Sequence, residues 1–145
     1  MYIGQLGSMI SARLTVIGID ATPCAAACSL ARPGIGLVVV TGGNGAAAGV
    51  LSKSDLIRHL ADPDLPTTTV ATLMSRTIVS CHPDDDLHST WRMMATKSLQ
   101  NMPVLGADAK PLGVLDIRDA MKVLFEHEEL QERLLTNYIA GIGYQ

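Results

Sequence analysis

The sequence predicts an α/β (α+β) fold: two β-α-β-β-α repeats packed with pseudo-two-fold symmetry, followed by a long C-terminal helix. Three observations predict it. A shift of 64 residues lays the chain on itself, taking Gly49-Val50-Leu51 to Gly113-Val114-Leu115, Asp20 to Asp84, Ala31 to Ala95, Val40 to Val104, Asp55 to Asp119 and Leu60 to Leu124. Each copy alternates short apolar runs with helix-start signals in the same order. The chain has 145 residues and is 48% apolar, enough for a real core and too apolar for a disordered chain.

In the first copy, Leu14 to Ile19 is β-branched and alternating, and reads as a strand. Thr22 is placed to cap a helix with Pro23 at its first position, and Pro33-Gly34 ends that helix. Leu37 to Thr41 is a continuous apolar run, as in a buried strand. Gly42-Gly43-Asn44-Gly45 reads as a hairpin turn, Ala48 to Leu51 as the return strand, and Ser52 caps a helix to about Ala61.

The second copy opens with a strand over Thr77 to Cys81, where one residue of slippage pairs Val16 with Val79. Asp84, Asp85 and Asp86 place negative charge at the next helix start, where the helix dipole favours it. That helix runs through Trp91, Met93 and Met94, which read as core. Met102 to Leu105 and Leu112 to Leu115 form the hairpin, with Ala107 to Lys110 as its turn. The expected organisation is a first repeat over 9–62, a linker over 63–69 with a helical turn from Val70 to Met74 after it, a second repeat over 70–125, and a helical extension over 126–145. Nothing is drawn from residues 1–8. The last helix, from Asp116 towards Ile139, carries Leu130, Leu134, Leu135 and Tyr138 as an apolar stripe, which either packs across its own domain or builds a homodimer.

Composition excludes several classes. The net charge is −3 and the eleven basic residues form no cluster, against nucleic acid or an anionic membrane as the partner. No apolar run approaches the ~20 residues of a membrane span, and the N-terminus lacks a signal-peptide pattern, so a cytoplasmic location is expected. Three cysteines do not suggest a disulfide framework. Cys24 and Cys28 share a helix face, where buried small apolar side chains are a better reading than metal ligands. His82 and His88 flank Asp84 to Asp86, but a solvated helix start is the better reading there too. No nucleophile-and-base arrangement and no P-loop ending occurs, so neither a catalytic nor a metal site is assigned.

Chemistry concentrates where each return strand meets its helix. The two stretches are Gly49-Val50-Leu51-Ser52-Lys53-Ser54-Asp55 and Gly113-Val114-Leu115-Asp116-Ile117-Arg118-Asp119. Taken alone, a cap followed three residues later by an acid is a capping box. The same geometry suits a nucleotide. A helix N-terminus offers amides and partial positive charge to a phosphate, Ser52 adds a hydroxyl, Lys53 a mobile cation, and Asp55 an acceptor for ribose hydroxyls.

These stretches, with Val70 to Val79, Pro83-Asp84-Asp85 and Met102-Pro103-Val104, make the sequence resemble the CBS-domain family over nearly all of residues 13 to 125. The resemblance implies a regulatory pair of CBS repeats that performs no chemistry and requires no cofactor. It implies an adenine nucleotide or adenosyl compound (AMP, ADP, ATP, NAD or S-adenosylmethionine) as regulatory ligand, in clefts between the repeats. It places the phosphate-side hydroxyl on Ser52, with Lys53 beside it, and the ribose acids on Asp55 and Asp119. Base contacts fall near Ile17, Thr77 and Val79 on the opening strands, and near Val38 and Met102 on the next. In the second copy Asp116 stands where Ser or Thr is usual, and Gln100-Asn101 where many members are basic. A carboxylate repels phosphate, Arg118 compensates only in part, and the first site is favoured. The alternative is a ligand-free module that regulates an unidentified partner by protein–protein contact.

Overall fold

The computed structural model describes residues 1–62, 64 and 69–143. The expected linker therefore lies largely outside the described residues. After a 3₁₀ turn over Ile3–Leu6, the elements are α1 (Ser8–Ser11), β1 (Val16–Gly18), α2 (Pro23–Leu30), β2 (Leu37–Thr41), β3 (Ala47–Ser52), α3 (Lys53–Ala61), α4 (Leu87–Thr96), β4 (Asn101–Leu105), β5 (Pro111–Asp116) and α5 (Ile117–Gly143). The fold is the predicted mixed α/β pair of repeats with a long C-terminal helix.

The caps form as the sequence specifies. Thr22 Oγ1 accepts from the Ala25 amide at 3.1 Å. Ser52 Oγ accepts from the Asp55 amide at 3.3 Å while Asp55 Oδ2 accepts from the Ser52 amide at 2.8 Å, a reciprocal capping box. Asp86 Oδ2 accepts from the Ser89 amide at 2.8 Å, which holds the Asp86 carboxyl below its usual range. The Gly42–Gly45 turn closes with Gly45 at φ +79°, a left-handed position that suits glycine.

The first sheet has the order β1-β2-β3, β1 pairing parallel to β2 and β2 antiparallel to β3; the second is the hairpin β4-β5. The expected opening strand of the second copy is reduced to one parallel bridge, Cys81 opposite Val104. In the first copy the Val39 amide donates to the Thr15 carbonyl at 3.0 Å. Its counterpart at +64 is Pro103, which has no N–H, so that rung is lost. The Ile19 amide donates to the Thr41 carbonyl at 3.0 Å and its counterpart is Pro83, so that rung is lost too; two rungs survive, the Cys81 amide donating to Pro103 O at 3.0 Å and the Leu105 amide to Cys81 O at 2.9 Å. The expected slippage is also absent. Ile17 sits opposite Val40 and Cys81 opposite Val104, so the 64-residue register runs unbroken through the opening strands.

Two cores form, one per sheet. The first gathers Leu30, Val38, Val40 and Leu51 with Val70 and Met74. The second gathers Met94, Met102, Val104 and Leu115 with Ile3, Leu6 and Ile10. Each sheet is thus covered by the helical segment that leads into the other repeat: Val70–Met74, which leads into the second copy, packs on the first, and the N-terminal segment packs on the second. Glycines mark both contacts. A Cβ on Gly49 would meet Met74 Sδ at 2.6 Å, and one on Gly113 would meet the Ile10 carbonyl oxygen at 2.8 Å.

Met94 is fully buried, with Met93 and Trp91 packed beside it. Cys24 and Cys28 are exposed, contrary to the burial expected of them. The core face of α2 carries Ala26 and Leu30, and residues two positions away lie across the helix. Leu130, Leu134 and Leu135 are exposed as well, so the stripe on α5 is not covered by its own domain. The Tyr138 side chain lies outside the described residues.

Candidate functional site

A cavity of about 700 Å³ opens between the repeats. Its lining follows the repeat register: Gly34–Leu37 from before and within β2 face Ser98–Asn101, their counterparts at +64, and Ser52–Ser54 face Arg118. The cavity therefore lies on the pseudo-two-fold axis. The N-termini of α3 and α5 both open onto it, and Lys53 and Arg118 bring cations to its wall. Gly34 and Ser98, at equivalent corners, are both left-handed, with φ of +83° and +56°. At Gly36 the Asn101 amide nitrogen would stand 2.6 Å from any Cβ, so the two repeats meet there backbone to side chain.

The predicted residues divide between this cavity and its flanks. Ser52, Lys53 and Arg118 line it. Asp55 lies one turn into α3. Its Oδ2 accepts from the Ser52 amide and hydroxyl, and its Oδ1 from the exposed Arg58 at 3.1 Å. Asp119 lines a separate cleft of about 350 Å³ with Met9, Ala12, Arg13, Pro33 and Gly34. Val38 and Met102 are completely buried in the two cores, backbone and side chain alike. Ile17 and Val79 pack against the first and second core respectively, and Thr77 is exposed.

Asp116 is 2% exposed and fully engaged. Its Oδ1 accepts from the Arg118 amide at 2.8 Å and from Arg118 Nε at 3.0 Å, and its Oδ2 from Arg118 Nη2 at 2.8 Å. Arg13 Nη1 stands 3.5 Å from Oδ2. Burial pushes the Asp116 carboxyl up, but the Arg118 hydrogen bonds and the Arg13 charge outweigh it and hold the group below the usual carboxylate range. Arg118, by the same pairing, is held above its ordinary value.

Arg13 is the residue the sequence reading missed. Its guanidinium donates to both carboxylate oxygens of Asp119, from Nε and, at 3.0 Å, from Nη2. Nη1 donates to the Gly34 carbonyl at 2.8 Å. The Asp119 hydrogen bonds, with the Asp116 and Asp119 charges, outweigh burial and raise the Arg13 pKa. A signal existed in the sequence: at +64 Arg13 meets Thr77, so this basic residue has no basic counterpart at its register position in the other copy.

The geometry places this chain among proteins with paired repeats that enclose a polar cleft. Residues 70–126 match the CBS-domain model, and the chain as a whole has the fold of CBS-domain pairs. It is similar to a CBS-domain containing protein from Agrobacterium tumefaciens, at 22% identity and a TM-score of 0.71, over 85% of this chain and 98% of that one. It is also similar to a CBS-domain pair solved with 5′-methylthioadenosine and S-adenosyl-L-methionine, at 16% identity and a TM-score of 0.73, over 88% of this chain and 98% of that one. A third similar structure, CBSX2 in complex with AMP, has 18% identity and a TM-score of 0.72, over 88% of this chain and 98% of that one.

Proposed function

We propose that this protein is a cytoplasmic ligand-sensing regulatory module, not an enzyme, that binds an adenine nucleotide or related adenosyl compound between its repeats. The observation that carries the reading is the cavity on the pseudo-two-fold axis, where two helix N-termini, Lys53 and Arg118 converge. Phosphate or another anionic group would sit there. The ribose would lie on Asp55, displacing only Arg58, a side chain 76% exposed whose bond is weak in water. The flat base would rest against backbone near Val38 and Met102 and along the opening strand that contains Thr77 and Val79. The similar structures solved with AMP and with S-adenosyl-L-methionine support the adenosyl class. Regulation would follow from differential affinity: a ligand that binds one arrangement of the repeats better shifts the population towards it.

A thermal-shift screen of AMP, ADP, ATP, NAD and S-adenosylmethionine tests the reading, with Asp55→Asn beside the wild type. Ligand at 100 times its Kd adds about 2.7 kcal/mol of stability. A shift with one compound that is lost in Asp55→Asn is the expected result. No shift with any of them leaves the fold intact and favours regulation through protein contacts alone. The exposed stripe of α5, including Phe125 at 65% and Leu134 at 60%, supports pairing of two copies, which light scattering would read as a doubled mass.

A further inference from the structure

The two halves of the cleft are not equivalent, and the difference is made by one side chain. Asp55 and Asp119 occupy the same register position. Asp55 keeps one carboxylate oxygen on its own helix cap and offers the other to an exposed arginine. Asp119 has both oxygens bound by Arg13, which reaches it from the opposite repeat across 106 positions of chain. The same guanidinium bonds the Gly34 carbonyl and lies 3.5 Å from the buried Asp116. The charges there close on themselves: Arg13 and Arg118 against Asp116 and Asp119. In the first half Asp55 is paired with the exposed Arg58, Lys53 stands on the cavity wall, and Thr77 stands where Arg13 would be.

We propose that Arg13 is a built-in occupant of the second cleft, bound where a ribose would sit, so that each chain takes one adenosyl ligand and not two. This rests on the nucleotide-binding reading above. Entry at Asp119 requires breaking a two-pronged charged pair that also ties Gly34, and leaves the Asp116 carboxylate facing the incoming phosphate. Entry at Asp55 requires neither. Arg13 thereby acts as a fixed strut between the repeats, while the first cleft is the one that opens and fills.

Equilibrium dialysis with AMP, ATP and S-adenosylmethionine, counting moles bound per chain at saturation, tests it. The variant Arg13→Thr/Asp116→Ser gives the second cleft the residue types of the first. The expected counts are one in the wild type, none in Asp55→Asn, and two in the double variant. Two equivalents in the wild type overturn the proposal without any variant being needed. One equivalent in a double variant that retains a cooperative melt also overturns it. The single Arg13→Gln is the milder second test: it should admit a weaker second equivalent, and a folded Arg13→Gln that stays at one counts against the proposal. No binding by the wild type with one equivalent in the double variant would refute the sensor reading and sustain the plug. No binding by either would refute both.

Discussion

Ile3 lies three residues from the chain start, where fraying is the ordinary expectation. In this fold it is completely buried, in the second core with Leu6, Ile10, Met94 and Leu115. The backbone around it is tied down as firmly. The Ile3 amide donates to the Asp85 carbonyl at 3.0 Å, the Gly4 amide to Pro83 O at 2.8 Å, and the Leu87 amide to Met1 O at 2.8 Å. Truncating Ile3 to alanine removes three carbons, about 2.4 kcal/mol of transfer energy at ~0.8 per methylene. The cavity left behind adds to this, so Ile3→Ala should cost about 2–5 kcal/mol. For a chain of this size that lowers Tm by roughly 4–20 °C, at about 2–4 °C per kcal/mol. Tyr2→Ala, one residue away and 60% exposed, should change stability by less than about 0.5 kcal/mol. Urea denaturation of both variants separates them. An Ile3→Ala cost below about 0.5 kcal/mol, equal to that of Tyr2→Ala, would mean the N-terminal segment is not part of the core and would refute the packing argument.

Three further outcomes follow from the structure. Iodoacetamide at pH 8 should label the exposed Cys24 and Cys28 and spare Cys81, whose thiol is 5% exposed and pushed up to about 12 by burial and by the nearby Asp85 charge; mass spectrometry before and after unfolding reads this directly. Asp116 has a folded pKa below its ordinary value of 3.8, so its contribution is complete above that value and is lost as pH falls through the lower folded one. Asp116→Asn should therefore cost about 1.5–3 kcal/mol at pH 7 and progressively less in acid, as denaturation midpoints at pH 7 and below pH 3 would show. Gly113→Ala drives a Cβ to 2.8 Å from the Ile10 carbonyl oxygen, an overpacking cost of about 1–3 kcal/mol, and should also expose residues 1–11 to limited proteolysis.

Much of this fold is legible because its signals are local. The Thr22 and Ser52 caps and the apolar run of β2 each specify their element through neighbours within a few residues, and all form as read. What was illegible depends on partners far along the chain. The missing strand at Thr77–Cys81 turns in part on a proline in another element. Which face of α2 is buried turns on tertiary packing, and Cys24 and Cys28 fell on the other side. The N-terminal segment was legible in principle: at +64, Leu6 meets Val70, Ile10 meets Met74 and Ser11 meets Ser75, so residues 1–11 continue the repeat. Of the residues proposed for the site, Ser52, Lys53 and Arg118 come from the helix-start pattern and line the cavity. The pairing of Arg13 with Asp119 spans the whole fold and leaves no short-range trace beyond a broken repeat.

The exchange of helical segments also bears on how a ligand would be sensed. Val70 and Met74 complete the first core and Ile3, Leu6 and Ile10 the second, so each repeat has a core of its own. Motion between halves then need not open either core. The Arg13 hydrogen bonds to Asp119 tie the halves to each other, and these ties border a cleft. Such polar contacts contribute about 0.5–3 kcal/mol each. A ligand that rearranges one of them works against a barrier of that order, and a difference of ~1.4 kcal/mol in its affinity for two arrangements is a tenfold change in their populations. Energies of that order suffice to shift a population between two arrangements of the repeats and are too small to unfold either one.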